Sequence, residues 1–275
     1  MALTGALLMP AASYAQVSCT RESLQAATES YIDTQTQGAR SASAAARREA
    51  VAAGTFLPRN GLPLMARVGY VENFDVGGER LIDKSLTIDH HRSLLDTVRC
   101  ETFTEAIVSD KGGPYALGTR LRMNRGSIAE IEMMWTTNGY WGFDVEHYLK
   151  TAATEDWGPI PVGNRDTRET LESVANAYMD ALLEGKATVE PWGFACTSTA
   201  PDGSCQVGTP VPAVNIGNRH LVVDETIGAV VVLCTFGAEP ASGRIRTADA
   251  HLFRVENGKV RFVHALTHLL QADVR

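Results

Sequence analysis

The chain has 275 residues and 44% hydrophobic content, ordinary proportions for a globular protein of one large or two modest domains. Its 32 acidic and 25 basic residues give a net charge of −7, which offers no electrostatic footprint for a polyphosphate backbone and argues against a nucleic-acid partner. No stretch approaches the roughly 20 apolar residues that a membrane-spanning helix needs, so no membrane insertion is expected.

Residues 1–16, MALTGALLMPAASYAQ, join a short apolar run to small residues. Ser13-Tyr14-Ala15 resembles a signal-peptidase site, although the positive n-region is missing. This segment and the cysteine pattern together predict a secreted protein or one of the secretory pathway. The five cysteines, at 19, 100, 196, 205 and 234, leave one unpaired within the chain. Cys196 and Cys205 flank the turn-rich TSTAPDGS and are expected to pair. Cys19 opens the first helix and Cys100 lies in a later strand of the same half, so a bridge there would staple helix to sheet. Cys234, inside GAVVVLCTF, reads as a buried free thiol. The alternative is that all five are reduced. No spacing matches a zinc site, with neither a CxxC nor a suitably placed histidine pair, and no metal or cofactor is expected.

Residues 20–33, TRESLQAATESYID, are echoed by 167–180, TRETLESVANAYMD, with six identical positions. In the second copy Leu171, Val174, Ala175, Tyr178 and Leu182 form the apolar stripe of an amphipathic helix. Asp166 and Glu169 read as its capping box. Between the copies, the alanine-rich stretch within 37–66 predicts a further helix before the sequence turns strand-like near Val68. A second echo aligns 119–137 with 251–269, two hairpins turning at RG and NG. Upstream of each, LLDTVRCETFTEAIV and VVDETIGAVVVLCTF read as strand pairs. EDWGPIPVGNRD, residues 155–166, reads as a linker. The predicted architecture is α+β: two tandem rolls, 17–154 and 167–275, each a helix packed on a curved antiparallel sheet around a cone-shaped cavity.

The ordered elements CTRESL, YVEN, LTIDHHRSLLDTVRCETF, EDWGPIP, TRETLESVANAY, PWGFAC, NRHLVVDETIGAV and DAHLFRVENGKVRFVHALTH resemble a family of largely uncharacterised secreted fungal proteins. The resemblance runs from Cys19 onward and implies a duplicated nuclear-transport-factor-2-like (NTF2-like, SnoaL-like) fold. Some such relatives act as hetero-Diels-Alderases in tropolone-sesquiterpenoid assembly, joining a quinone-methide tropolone to an alkene of a humulene-type terpene. The resemblance therefore implies a cofactor-independent cyclase with a small hydrophobic substrate. A non-catalytic binding protein and another lyase or epimerase on the same scaffold are the competing readings.

Candidate chemistry is densest in 249–268. Asp249, His251 and Phe253 share one face of a strand, and Phe262, His264, Leu266 and His268 share one face of the next. A histidine in an apolar, aromatic pocket can be tuned for proton transfer, which makes His264, His251 and Asp249 the catalytic candidates. Histidine in a half-buried strand is nevertheless more often structural. His264 stands out because its counterpart in the first half is Glu132, also ionisable. Tyr70, Asn73, Glu132, Trp135, Trp141, Phe253, Phe262 and His268 are the candidate substrate-binding residues. The repeated Arg122 and Arg254 are expected to pair with an acid such as the repeated Asp33 and Asp180. Of His90 and His91 at most one can face a pocket, with surface exposure the simpler expectation. Asp224-Glu225 reads as a solvated hairpin. GxSxG, P-loop, GxGxxG and HExxH motifs are absent. Pairing of sheets between chains makes a homodimer a further expectation.

Overall fold

The computed structural model describes residues 19–37, 75–76, 79–80, 85–109, 114–124, 126–138, 143–183, 198–199, 205–206, 215–237 and 247–267. The signal-like segment, the helix expected within 37–66, and Tyr70, Asn73, Trp141, Cys196 and His268 lie outside these residues, and so does the expected Cys196–Cys205 bridge.

The fold is α+β. Helix α1 (Arg21–Gln37) precedes a two-residue ladder, β1 (Asp75–Val76) and β2 (Glu79–Arg80), then strands β3 (Ile88–Asp96), β4 (Glu101–Val108), β5 (Tyr115–Asn124) and β6 (Ser127–Thr137). A short helix α2 (Val145–Ala152), which the periodicity did not suggest, leads through 153–167 to α3 (Arg168–Leu183). A second ladder, β7 (Ser198–Thr199) and β8 (Cys205–Gln206), is followed by β9 (Asn215–Asp224), β10 (Ala229–Gly237), β11 (Thr247–Glu256) and β12 (Lys259–Thr267). Strands β3 to β6 form one antiparallel meander and β9 to β12 another. The NG turn has the backbone its sequence demands, with φ of 55° at Asn257 and 69° at Gly258.

Each sheet carries buried apolar residues on both faces, so each is covered twice. On one face of the first sheet, Leu117, Leu121, Ile131, Met133 and Trp135 pack with Tyr31 of α1. On one face of the second, Val230, Val232, Phe253 and Val263 pack with Leu171, Ala175, Met179 and Leu182 of α3. The opposite faces meet each other: Leu94, Phe103, Ile107 and Met134 share one core with Val222, Val231, Leu252 and Leu266. The layers therefore run helix, sheet, sheet, helix. Gly118 permits the close approach, since a Cβ there would lie 3.0 Å from Phe103 and 3.2 Å from Leu266 of the other sheet. The two sheets thus pack face to face within the one chain.

The doubled helix motif resolves into separate tasks. The repeated threonine is the cap: Ser23 N donates to Thr20 Oγ1 at 3.2 Å and Thr170 N to Thr167 Oγ1 at 3.3 Å. This corrects the Asp166/Glu169 box by one residue, because Asp166 instead accepts from the amide of Gly258 at 3.1 Å. The repeated arginine crosses between halves. Arg21 binds Asp224 at 2.6 Å, and Arg168 binds Asp96 at 2.5 Å. The same two aspartates take reciprocal backbone bonds, Leu95 N to Asp224 and Val223 N to Asp96, each 3.0 Å. Asp224 is 1% exposed, which corrects the solvated-hairpin expectation; its neighbour Glu225 accepts from the first amide of α3 at 3.1 Å, where a helix N-terminus favours an anion.

Arg122 and Arg254 do not reach Asp33 or Asp180. Arg122 pairs with Glu130 on the adjoining strand at 2.5 Å. Arg254 pairs with Glu256 at 2.9 Å and donates to the carbonyls of Gly158 and Ile227. Asp180 belongs instead to Arg219, at 2.7 Å. Cys19 and Cys100 form the expected disulfide, with Cα atoms 5.4 Å apart, and Cys234 is free and buried. No described helix is long and apolar enough to cross a membrane.

Candidate functional site

Strand register decides which candidates can meet. Leu252 lies opposite His264 and His251 opposite Ala265, and residues directly opposite in an antiparallel pair share a face. His264, Phe262 and Leu266 therefore face the first sheet, whereas Asp249, His251 and Phe253 face α3. The expected catalytic set is divided between two sites on opposite sides of one sheet.

The site between the sheets is a buried ionic cluster. His264 Nδ1 lies 3.1 Å from Glu105 of β4, and Nε2 lies 3.0 Å from Glu155 in the connection after α2. Arg92 of β3 reaches the same two carboxylates, at 2.8 and 3.7 Å. Tyr148 of α2 donates to Glu105, and Trp157 Nε1 donates to Glu155 at 2.9 Å. Two cations face two anions, so the cluster is neutral when His264 carries its proton. Burial opposes that charge, but Glu105 and Glu155 outweigh it and push the imidazole up to about 9. Burial likewise opposes ionisation of Glu105, and the His264 and Arg92 charges overcome it, holding the carboxyl at about 2.

His90 completes this group. It faces the cluster from β3 while His91 is exposed, which bears out the expectation that only one of the pair can point inward. Its ring lies 5.8 Å from that of Tyr148, which in turn lies 5.6 Å from His264. Burial pushes His90 below the ordinary histidine range, with Glu105 opposing. Its Nε2 is buried without a hydrogen-bond partner among the described residues. At the half-buried margin Trp157 stacks on Phe262 at 5.9 Å and carries the Arg92 guanidinium at 4.1 Å from its ring. Glu155 and Trp157, at the start of the connection 155–166, thus belong to the site.

Glu132, the counterpart of His264, belongs to a second ionic cluster on the same face of the first sheet. Arg120 lies 2.7 Å from Glu101, 3.1 Å from Glu130 and 2.8 Å from Glu132. His220 joins through Glu101 at 2.6 Å. Burial alone would weaken the guanidinium, but the three carboxylates raise its pKa instead. Glu132 is accordingly committed to a guanidinium. Trp135 packs under α1, edge-on to Tyr115 at 5.7 Å.

On the α3 side, Cys234, Asp249 and His251 are all buried and offer three donor atoms within 4.8 Å of one another. Cys234 lies directly opposite Asp249 in the ladder, and His251 is two residues along. Thr267 donates to Asp249 at 2.8 Å. His251 Nδ1 approaches the other oxygen of Asp249 to 2.8 Å, yet the angles are not those of a hydrogen bond, and neither ring nitrogen has one among the described residues. Burial pushes the Cys234 thiol well up, and Asp249 pushes it further. Tyr178 and Phe253 stand beside His251, with ring centroids 6.3 and 6.2 Å away. The first-half equivalent is simpler: Tyr31 and Thr119 share a hydrogen bond of 2.7 Å.

Sequence reasoning passed over Glu105, Tyr148, Arg92, Glu155 and Trp157. A charged residue in the middle of an otherwise apolar strand, as in ETFTEAIV, was the available signal for Glu105.

Residues 164–267 match the model of a family described as a domain of unknown function (DUF8021). That stretch takes in α3 and the whole second sheet. No curated protein and no solved structure matches the chain.

Proposed function

We propose that the chain is a cofactor-independent cyclase of fungal secondary metabolism built on two NTF2-like rolls, and specifically a secreted hetero-Diels-Alderase joining a tropolone quinone methide to a humulene-type terpene. The observation that carries this reading is the pair His90 and His264, pushed in opposite directions on either side of Tyr148. Titratable groups whose environments drive their pKa values apart are the usual signature of an acid and a base.

The chemistry asks for such a pair. Loss of water from a hydroxymethyl tropolone needs a proton delivered to the departing hydroxyl and one removed from the ring hydroxyl. His264, protonated at neutral pH, is the proton reservoir on the acid side, and His90 Nε2 supplies a free lone pair on the base side. The resulting heterodiene adds to the alkene with formation of one C–C and one C–O bond and no redox change. The Phe262 ring, stacked on Trp157 at the half-buried margin, is the aromatic contact this reading assigns to a tropolone ring. Holding the two reactants together supplies most of the acceleration.

Incubation with a hydroxymethyl tropolone and humulene is expected to give adduct above the uncatalysed background, with His90→Ala and His264→Gln each reducing the rate. Absence of adduct, or both variants working at the wild-type rate, would overturn the assignment. One observation favours a ligand-binding protein as the second reading: both nitrogens of His264 are already held by carboxylates. That reading predicts tropolone binding, measured by calorimetry, without turnover.

A further inference from the structure

We infer that Cys234, Asp249 and His251 form a binding site for a thiophilic divalent metal, of which Zn²⁺ is the natural occupant by ligand chemistry. The site lies on the face of the second sheet that packs against α3, and is separate from the His90/His264 cluster on the other face.

Three observations support it. The donor set is a thiol, an imidazole and a carboxylate within 4.8 Å of one another, the combination that Zn²⁺ prefers. The Cys234 sulfur lies 3.8 Å from Asp249 Oδ2, a separation that bonds of about 2.3 and 2.0 Å to a shared ion span at an angle of about 124°. Next, the approach of His251 Nδ1 to Asp249 is short but lacks hydrogen-bond geometry. Two ligands aimed at a common third body approach in this way, whereas a simple dyad would align the N–H with the oxygen. Finally, His251 is fully buried and neither ring nitrogen has a hydrogen-bond partner among the described residues, a costly arrangement for an imidazole that serves only as packing.

Charge and support agree. Arg219, the cation whose charge is felt at Cys234, is already paired with Asp180. A dication with one thiolate and one carboxylate gives a neutral buried centre. Thr267 holds the second oxygen of Asp249, the kind of outer partner that orients a metal-bound carboxylate. Three protein ligands leave a fourth position for water or a small molecule. Cys234 comes from one strand and the Asp-x-His pair from its neighbour, so no local spacing in the sequence announces the site.

The test uses the full chain stripped with a chelator and titrated with Co²⁺ as a spectroscopic probe. The expected result is one equivalent of tetrahedral Co²⁺ with a thiolate-to-cobalt charge-transfer band, displaced by Zn²⁺. Cys234→Ser should abolish that band. His251→Gln should weaken binding by more than the roughly 10–100-fold typical of losing an outer-shell partner. Circular dichroism of both variants in chelator establishes that they fold; if one does not, the other decides. Absence of a charge-transfer band in the wild type, or its persistence in Cys234→Ser, would overturn the assignment. Neither readout depends on adduct formation, so the metal site and the proposed cyclase activity can fail separately.

Discussion

Replacing His264 by glutamine should change how stability depends on pH, not only how large it is. The imidazole is raised from its ordinary value of 6.5 to about 9 in the folded protein. A group held more tightly protonated when folded stabilises fully below the unfolded pKa, and that contribution disappears as pH rises through the folded one. The window is therefore about pH 6.5 to 9. At roughly 1.4 kcal/mol per pH unit, the contribution is about 3 kcal/mol. Glu105, held at about 2 against an ordinary 4.5, reports the same pairing from the other side, so the two are not summed. Its contribution is present above pH 4.5 and is lost only as pH falls through 2.

Thermal unfolding of wild type and His264→Gln should be followed from pH 5 to 10. Relative to the variant, the wild type is expected to lose about 3 kcal/mol across that alkaline window, or roughly 6–12 °C in Tm for a chain of this size. Other alkaline groups, including the Cys234 thiol, are common to both proteins and cancel in the difference. Two parallel curves between pH 6 and 9.5 would show that His264 is not held as an imidazolium, and the acid assigned to the site would go with it.

The Cys19–Cys100 bridge closes a loop spanning 81 residues of sequence separation. Chain-entropy reasoning assigns it about 4 to 5 kcal/mol, so the double serine variant should unfold at correspondingly lower denaturant; an unchanged midpoint would contradict this. Between the halves, Asp96 is fully buried and Arg168 is 16% exposed, whereas Arg21 is 35% exposed. A double-mutant cycle in urea should therefore give a larger coupling for Arg168–Asp96, about 2 kcal/mol, than for Arg21–Asp224. Equal or vanishing couplings would mean that the crossing pairs are screened by solvent.

Much of this architecture could be read from the chain because the signals were local and repeated. The TRE helices, the NG turn, the strand pairs and the buried Cys234 each rest on a short window. The sites could not be read in the same way. Glu105, Tyr148, Glu155 and His264 come from β4, α2, a connection and β12, and only the packing of one sheet on the other brings them together. The separation of His251 from His264 depends on register: a shift of one residue across the NG turn would have put both on one face. Asp224 looked solvated because its partner, Arg21, lies 203 positions away in sequence.

Arg21 with Asp224 and Arg168 with Asp96 reproduce, inside a single polypeptide, the self-complementary contact of a two-fold dimer, in which residue i meets j and j meets i. Covalent connection makes that association intramolecular and independent of dilution. It also releases the two copies from obligatory identity, because one gene specifies both sides of a true dimer but a tandem chain specifies them separately. Histidine can then occupy positions 251 and 264 while threonine and glutamate hold 119 and 132, giving two differently equipped faces around one repeated clasp.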